Sequence, residues 1–321
     1  MQLSPANITG KKILISPLDW GMGHTARCVA LIRTLLSNSN QILFAGNDQQ
    51  IEFIKREFPT IQTEFLEGYN ITLDSKKSTY VQVFLQFKKL NRAIKSEQKF
   101  AEQIAEREKI DIIISDNRYG FRSSKAKNIL LTHQLNLQIP KWKNFVNRKL
   151  KKQIEKFDLC WIPDSITKPI CCELTKVELT IPKQLIGPLC RFEKIDTPIE
   201  YEILFIASGP EPERSRFAKK ICDNLISKQK HFAVVGFMYD KIGADYFRNP
   251  STSELEFLIN SSQTIISRGG YTTIMEMIAL QKNTILIPTK GQYEQEYLAK
   301  TICYPNIIFN SEHEFFTEDL V

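Results

Sequence analysis

One stretch, residues 263–300 (QTIISRGGYTTIMEMIALQKNTILIPTKGQYEQEYLAK), restricts the fold more than any other. An apolar run at Thr264, Ile265 and Ile266 stops at Ser267, Arg268, Gly269 and Gly270. A helical pattern over 272–280 follows, and a second apolar run, 284–287, ends at Pro288. Strand, glycine turn, helix and strand in that order place the amino-terminal end of a helix, with its N–H groups and positive dipole end, at the carboxyl ends of parallel strands. Phosphate is the natural occupant of such a place. Glu276 falls about one and a half turns into the helix, where its carboxylate can accept two hydrogen bonds from a ribose diol. The loop after the second strand carries Gln292, Glu294, Gln295 and Glu296, amide and acid groups suited to sugar hydroxyls. Each feature also has a plainer explanation, a tight turn for the glycines and a solvated face for the acid.

A chain of 321 residues, 42% hydrophobic and 25% charged, has material for two folded domains and no sign of disorder. The first residues lack the apolar core of a signal peptide, and no stretch approaches the ~20 apolar residues of a membrane span. A cytoplasmic protein is expected. Seven cysteines without a C-x-x-C pair read as reduced structural thiols. The net charge of +7 is unevenly spread: between Lys141 and Lys156, the positive groups Lys141, Lys143, Arg148, Lys149, Lys151, Lys152 and Lys156 face one acid, Glu155. A solvated face explains such a run, as does peripheral contact with an anionic membrane surface at its inner, cytoplasmic face or with a phosphorylated acceptor. Nucleic acid is not expected, because no matching motif or aromatic platform accompanies the lysines.

Alternation of strand and helix runs through the chain. Strands are predicted at 12–17, 41–45, 64–66, 111–115, 128–132 and 159–162, with helices at 25–36, from Asn47 or Asp48 to 58, at 80–109 and at 143–157. In the helix at 25–36, Ala26, Val29, Ala30, Ile32 and Leu36 are available for burial. A proline-containing connection, 191–198, reads as a hinge. Beyond it, strand 201–207, the loop Ser208-Gly209-Pro210, helix 211–227, strand 231–236, a polar stretch to Asn249 and helix 253–260 lead to the opening unit. The expected architecture is α/β, with two Rossmann-like doubly wound domains at 1–195 and 196–321.

Gly21-Met22-Gly23-His24-Thr25-Ala26 fits G-x-G-x-x-A, with Asp48 near the place of a ribose acid, so a nicotinamide-dependent dehydrogenase is one reading. Against it, five residues, 16–20, separate the apolar run of the first strand from Gly21, and the second glycine turn at Ser267 is left without work. His24, at the mouth of a helix, suits a general base that accepts a proton from an attacking hydroxyl; a surface histidine capping the turn is the alternative. Asp19 and Asp116 each end a strand, and either could orient His24 or be the base itself. His133-Gln134 ends another strand, as a cleft residue or as a satisfied buried histidine. No D-x-D pair occurs, so no metal is called for and none is assigned.

These residues resemble the GT-B glycosyltransferases of family 28. Gly21-Met22-Gly23-His24 is similar to that family's amino-terminal glycine-histidine loop, and Thr132-His133-Gln134 to its His-Glu-Gln segment, with Gln134 in place of the acid. Ser267-Arg268-Gly269-Gly270 with Glu276 resembles its Ser-Arg-x-Gly turn and ribose-binding glutamate, and Gln295 a donor-sugar glutamine. Asp19-Trp20 in the first loop, Glu294 before Gln295 and a chain that stops at Val321 depart from the pattern. The loop with Arg27-Cys28 also resembles UDP-sugar hydrolases, in which water replaces the acceptor.

The resemblance implies a GT-B fold whose two domains face across a cleft, with an acceptor half at 1–195 and a donor half at 196–321. It implies a UDP-sugar co-substrate, no further cofactor, and inversion at the anomeric carbon during transfer to an acceptor hydroxyl, with a lipid-linked or envelope glycan as one candidate acceptor. The expected donor-binding residues are Gly23, Ser208, Arg214, Arg268, Gly269, Gly270, Glu276, Gln292, Glu294 and Gln295. Arg268 or Arg214 would offset charge on the departing diphosphate, and His24, Asp19 and Asp116 are the expected catalytic groups.

Overall fold

The computed structural model describes residues 3–69, 87–139 and 142–317. The chain divides into two compact units, Met1–Leu189 and Cys190–Val321. In the first, β1 (Lys12–Pro17), α1 (Gly23–Ser37), β2 (Gln41–Gly46), α2 (Asp48–Glu57), β3 (Gln62–Phe65), α3 (Phe87–Glu108), β4 (Ile112–Asp116), β5 (Lys127–Leu131), α4 (Lys143–Ile154), β6 (Leu159–Ile162) and β7 (Lys183–Leu185) follow in order. The sheet order is β3-β2-β1-β4-β5-β6-β7, parallel at every pairing.

The second unit repeats the plan with β8 (Tyr201–Ile206), α5 (Glu213–Ser227), β9 (Phe232–Val235), β10 (Ala244–Phe247), α6 (Thr252–Asn260), β11 (Ser262–Arg268), α7 (Tyr271–Leu280), β12 (Asn283–Ile287), α8 (Tyr293–Thr301), β13 (Ile307–Phe309) and α9 (Glu312–Thr317). Its sheet is parallel throughout, in the order β10-β9-β8-β11-β12-β13.

In both sheets the order in which strands are added therefore reverses at one place, between β1 and β4 and between β8 and β11. The chain leaves such neighbouring strands toward opposite faces, which opens a crevice at their carboxyl ends. His24 follows β1 and Asp116 ends β4; Ser208 follows β8 and Gly269 follows β11.

The central strands are continuous apolar runs because helices cover both faces. Ile13, Leu14 and Ile15 are fully buried, as are Ile113 and Ile114. In the second unit Phe205, Phe217, Ile221, Leu225, Phe232 and Phe315 form one cluster between sheet and helices. Asn47 rather than Asp48 caps α2: its side chain accepts from Gln50 N–H at 3.0 Å, and Gln50 returns the bond at 3.1 Å. Ser251 and Glu254 make the same reciprocal cap on α6.

Several elements differ from the sequence expectations. The polar stretch before Asn249 contains β10, an edge strand. Gln292, Glu294, Gln295 and Glu296 are not in a loop but on the cap and first turn of α8. On α1, Ala26, Val29 and Ile32 are buried as expected, joined by Arg27 and Cys28, while Ala30 is half-buried and Leu36 is 38% exposed, because the inward face is centred on Cys28, Leu31 and Leu35. The connection at 191–198 is tied to its own unit: Glu193 N–H bonds Glu256 on α6 and Ile195 N–H bonds Asn260. The expected helical residues 80–86, Lys141 at the start of the basic run, and residues 318–321 at the chain end lie outside the described residues.

Candidate active site

β1 and β4 pair in parallel with Pro17 opposite Asp116, so the two chains leave the sheet side by side. From there α1 presents His24 and Arg27 three residues apart, on one helix face. His24 Nδ1 lies 3.0 Å from Asp116 Oδ1. Arg27 donates to Asp116 Oδ2 through Nε at 2.7 Å and to Oδ1 through Nη2. Its Nη2 also lies 3.0 Å from His24 Nδ1, and its Nη1 lies 3.2 Å from His133 Nδ1. Asp116, Arg27 and His133 are buried, while the His24 side chain keeps 18% of its surface exposed.

Burial pushes the Asp116 carboxyl upward, but the Arg27 guanidinium and then His24 outweigh it and bring it down to about 2. Asp116 is a carboxylate at any physiological pH. The Cys28 thiol, with Sγ 4.0 Å from Asp116 Oδ2, is pushed well up by burial and by that carboxylate, and stays protonated. An ionised acceptor beside Nδ1 favours the imidazole form with its proton on Nδ1, which leaves the Nε2 lone pair to take a proton.

Asp19 is placed elsewhere. Its carboxylate accepts the backbone N–H of Tyr69 at 3.1 and 3.3 Å. A side chain at Gly68 would fall on that carboxylate and displace it from Tyr69 N–H. Tyr69 in turn donates to Glu97 at 2.8 Å, and Glu97 pairs with Arg118 at 2.6 Å. Asp19 thus anchors 67–69, and of the two candidate aspartates Asp116 alone is hydrogen-bonded to His24.

In the second unit, Gly270 caps α7 with φ −71° and ψ 142°, values open to any residue. A Cβ there would meet nothing within 4 Å. Neither backbone nor neighbours demand a glycine, and its lack of a side chain leaves room for another molecule to approach the helix start. Ser208 and Gly209 follow β8 at the same reversal; Gly209 has φ +106°, which does require glycine.

Glu276 is buried on α7, with Arg191 Nε 3.1 Å from its Oε1. Burial raises its carboxyl and Arg191 opposes that shift. Glu276 Oε1 is closed to solvent and has no well-aligned hydrogen bond, with Arg191 as the cation beside it. At the start of α8, Gln295 Oε1 accepts Thr289 N–H and Gln295 Nε2 donates to Gln292 Oε1, both at 2.8 Å, which joins the two glutamines into one polar group. Glu294 occupies the same first turn.

The arginines serve less directly than expected. Arg268 lies 3.5 Å over the Phe217 ring and donates to Glu312 at 2.8 Å, holding α9 in place. Burial lowers its guanidinium. Arg214 is half-exposed at the start of α5 and pairs with Glu211 at 2.6 Å. Sequence reasoning set Arg27 beside Cys28 only as a motif; its three-residue spacing from His24 was the sign that both could reach one partner. Among the described residues no group of three or more His, Cys, Asp or Glu side chains is placed to hold a metal ion.

Residues 232–303 match the glycosyltransferase family 28 C-terminal domain, which spans β9 to α8 and contains the glycine turn, Glu276 and both glutamines. An uncharacterized glycosyltransferase from Methanosarcina acetivorans is 25% identical over 91% of this chain and 83% of its own length. Among solved structures, Arabidopsis thaliana UGT89C1 complexed with quercetin superposes with a TM-score of 0.66 at 11% identity, over 94% of this chain and 85% of that one. Phytolacca americana UGT2 complexed with UDP-2-fluoro-glucose and pterostilbene gives 0.62 at 14% identity, over 91% and 83%. The chain is a glycosyltransferase of the GT-B fold, with a carboxyl-terminal domain of the family 28 type.

Proposed function

We propose that the enzyme transfers a hexose from a UDP-sugar to an acceptor hydroxyl with inversion at the anomeric carbon and without a metal ion. The observation that carries this reading is the His24–Asp116 pair at the reversal point of the first sheet: a carboxylate kept ionised directs one imidazole nitrogen and leaves the other to accept a proton. The acceptor hydroxyl gives its proton to His24 Nε2, and its oxygen attacks the anomeric carbon from the face opposite the leaving group. The bond from that carbon to the diphosphate oxygen breaks, and the electron pair leaves with UDP.

The donor is assigned to the second unit. Gly269 and Gly270 let the diphosphate approach the start of α7, whose dipole favours the charge that develops there. Arg214, near the start of α5, adds positive charge, while Arg268 contributes by fixing α9. Glu276 takes the ribose hydroxyls, and Gln292, Glu294 and Gln295 take the hexose; Ser208 borders the donor from its glycine loop. UGT89C1 has been solved with UDP-L-rhamnose and UGT2 with UDP-2-fluoro-glucose, which supports a UDP-linked donor.

A second reading has water in place of the acceptor, since Arg27 and Cys28, the residues shared with the hydrolase-like stretch, both converge on Asp116. The two separate in one assay. Incubation with UDP-sugars in EDTA should release UDP only when an acceptor is added, and the product should carry the inverted anomeric configuration by proton NMR. Free sugar at the same rate without acceptor establishes the hydrolase, and retained configuration refutes single displacement.

Helix α4 supports a peripheral place on an anionic membrane surface. Trp142 is 78% and Phe145 47% exposed at its start, and Arg148, Lys149 and Lys152 are exposed along it. No helix among the described residues is long and apolar enough to cross a membrane.

A further inference from the structure

Arg27 lies where it touches every polar member of the first site. It is fully buried, it grips both oxygens of Asp116, and it approaches the Nδ1 atoms of two different histidines, His24 and His133. An arginine can only donate. At His133 the consequence is direct: Nδ1 must accept from Nη1, so the ring proton sits on Nε2. At His24 two arrangements compete. If Nδ1 accepted from Nη2, the proton would sit on Nε2 and His24 could not act as a base. If Nδ1 donates to Asp116 Oδ1, Nε2 is open.

A bare Nδ1 would set its lone pair 3.0 Å from the Asp116 carboxylate, whereas Nη2 already has that same Oδ1 as an acceptor, so the arrangement with Nδ1 donating to Oδ1 suits all three groups. Meanwhile Nε holds the second oxygen and prevents the carboxylate from rotating away. We infer that Arg27 is a positioning residue that sets the two histidines in opposite tautomers, His24 protonated on Nδ1 and His133 on Nε2. It does so by pinning Asp116 through Nε and Nη2 and by donating from Nη1 to His133. The catalytic part of this inference rests on His24 being the base; the tautomers do not.

Lysine at position 27 keeps a positive charge for Asp116 but cannot hold both carboxylate oxygens and His133 in one plane. Imidazole in water prefers the proton on Nε2, so a loosened Asp116 should let His24 drift to that form.

The chain has four histidines, few enough to resolve by nitrogen-15 NMR of histidine-labelled enzyme, with His24 and His133 assigned through His24→Gln and His133→Gln. The wild-type spectrum should show His24 with its proton on Nδ1 and His133 with its proton on Nε2. Arg27→Lys should increase the Nε2-protonated fraction of His24 and lower kcat by roughly tenfold or more, with the donor KM within about twofold. Wild-type His24 protonated on Nε2 overturns the inference, as does an Arg27→Lys enzyme with both tautomers unchanged, whatever its rate. Should the variant not fold, the wild-type spectrum decides. If His24→Gln keeps full turnover, the assignment of the base fails, while the tautomers still test Arg27.

Discussion

Replacing Asp116 with asparagine removes the charge at the centre of the first site, and the cost can be worked out. Arg27 binds both oxygens of this wholly buried carboxylate, whose value in the fold is about 2 against an ordinary 3.8. That gap corresponds to about 2 kcal/mol of stability. A carboxyl depressed by folding stabilises the protein above pH 3.8 and loses that contribution as pH falls toward 2. Asparagine does not titrate, and it leaves Arg27 buried without its anion, which costs about 3–5 kcal/mol at neutral pH.

All three tryptophans, Trp20, Trp142 and Trp161, belong to Met1–Leu189, and Trp161 is fully buried. Tryptophan fluorescence during urea unfolding therefore reports on the unit that contains Asp116. With a urea slope of about 2 kcal/mol/M, the Asp116→Asn midpoint at pH 7 should fall by about 1.5–2.5 M. The difference should narrow as the pH is lowered from 4 toward 2. A midpoint within about 0.3 M of wild type at pH 7, or a gap independent of pH, would refute a buried Arg27–Asp116 pair.

Other expectations follow from the same geometry. His24→Ala should reduce turnover by about 10²–10⁴ and leave UDP affinity unchanged in calorimetry; loss of UDP binding would remove His24 from the role of base. Glu276→Ala should weaken UDP binding by about tenfold or more, since a charge-assisted hydrogen bond is lost, and unchanged affinity would sink the ribose assignment. Lys149→Glu with Lys152→Glu should lower co-sedimentation with phosphatidylglycerol vesicles while thermal stability is kept; equal pelleting would show that α4 is only a solvated face. Ser251→Ala should destabilise the second unit by about 1 kcal/mol in thermal unfolding, the usual cost of a lost cap.

What could be read from the sequence followed physical rules that act locally. β1 and β4 were legible because strands buried on both faces are unbroken apolar runs, and the turn from Ser267 to Gly270 because glycines interrupt such a run abruptly. β10 was not, since an edge strand of half-buried residues has no such run. α8 was mistaken for a loop because Tyr293, Glu294, Gln295 and Glu296 open it and Leu298 is its one buried residue.

The site divided along the same line. His24 stood out inside its glycine loop, but the choice between Asp19 and Asp116 depended on where each chain goes after its strand. Pro17 and Asp116 lie side by side in the sheet, and beyond Pro17 the chain turns Asp19 toward Tyr69. Arg27 went unassigned because an arginine on an amphipathic helix ordinarily reaches solvent. Its anionic partner is 89 positions away, and the pairing exists only in the folded sheet.

In the proposed reaction the second unit holds the UDP part of a sugar donor without help from a metal. Calorimetric titration of the whole chain with UDP in EDTA, with NAD titrated in parallel, tests it most directly. UDP should bind saturably and one-to-one, unaltered by magnesium and more weakly in Glu276→Ala, with no counterpart for NAD. Binding of NAD without UDP, or UDP binding that appears only with magnesium, would contradict it.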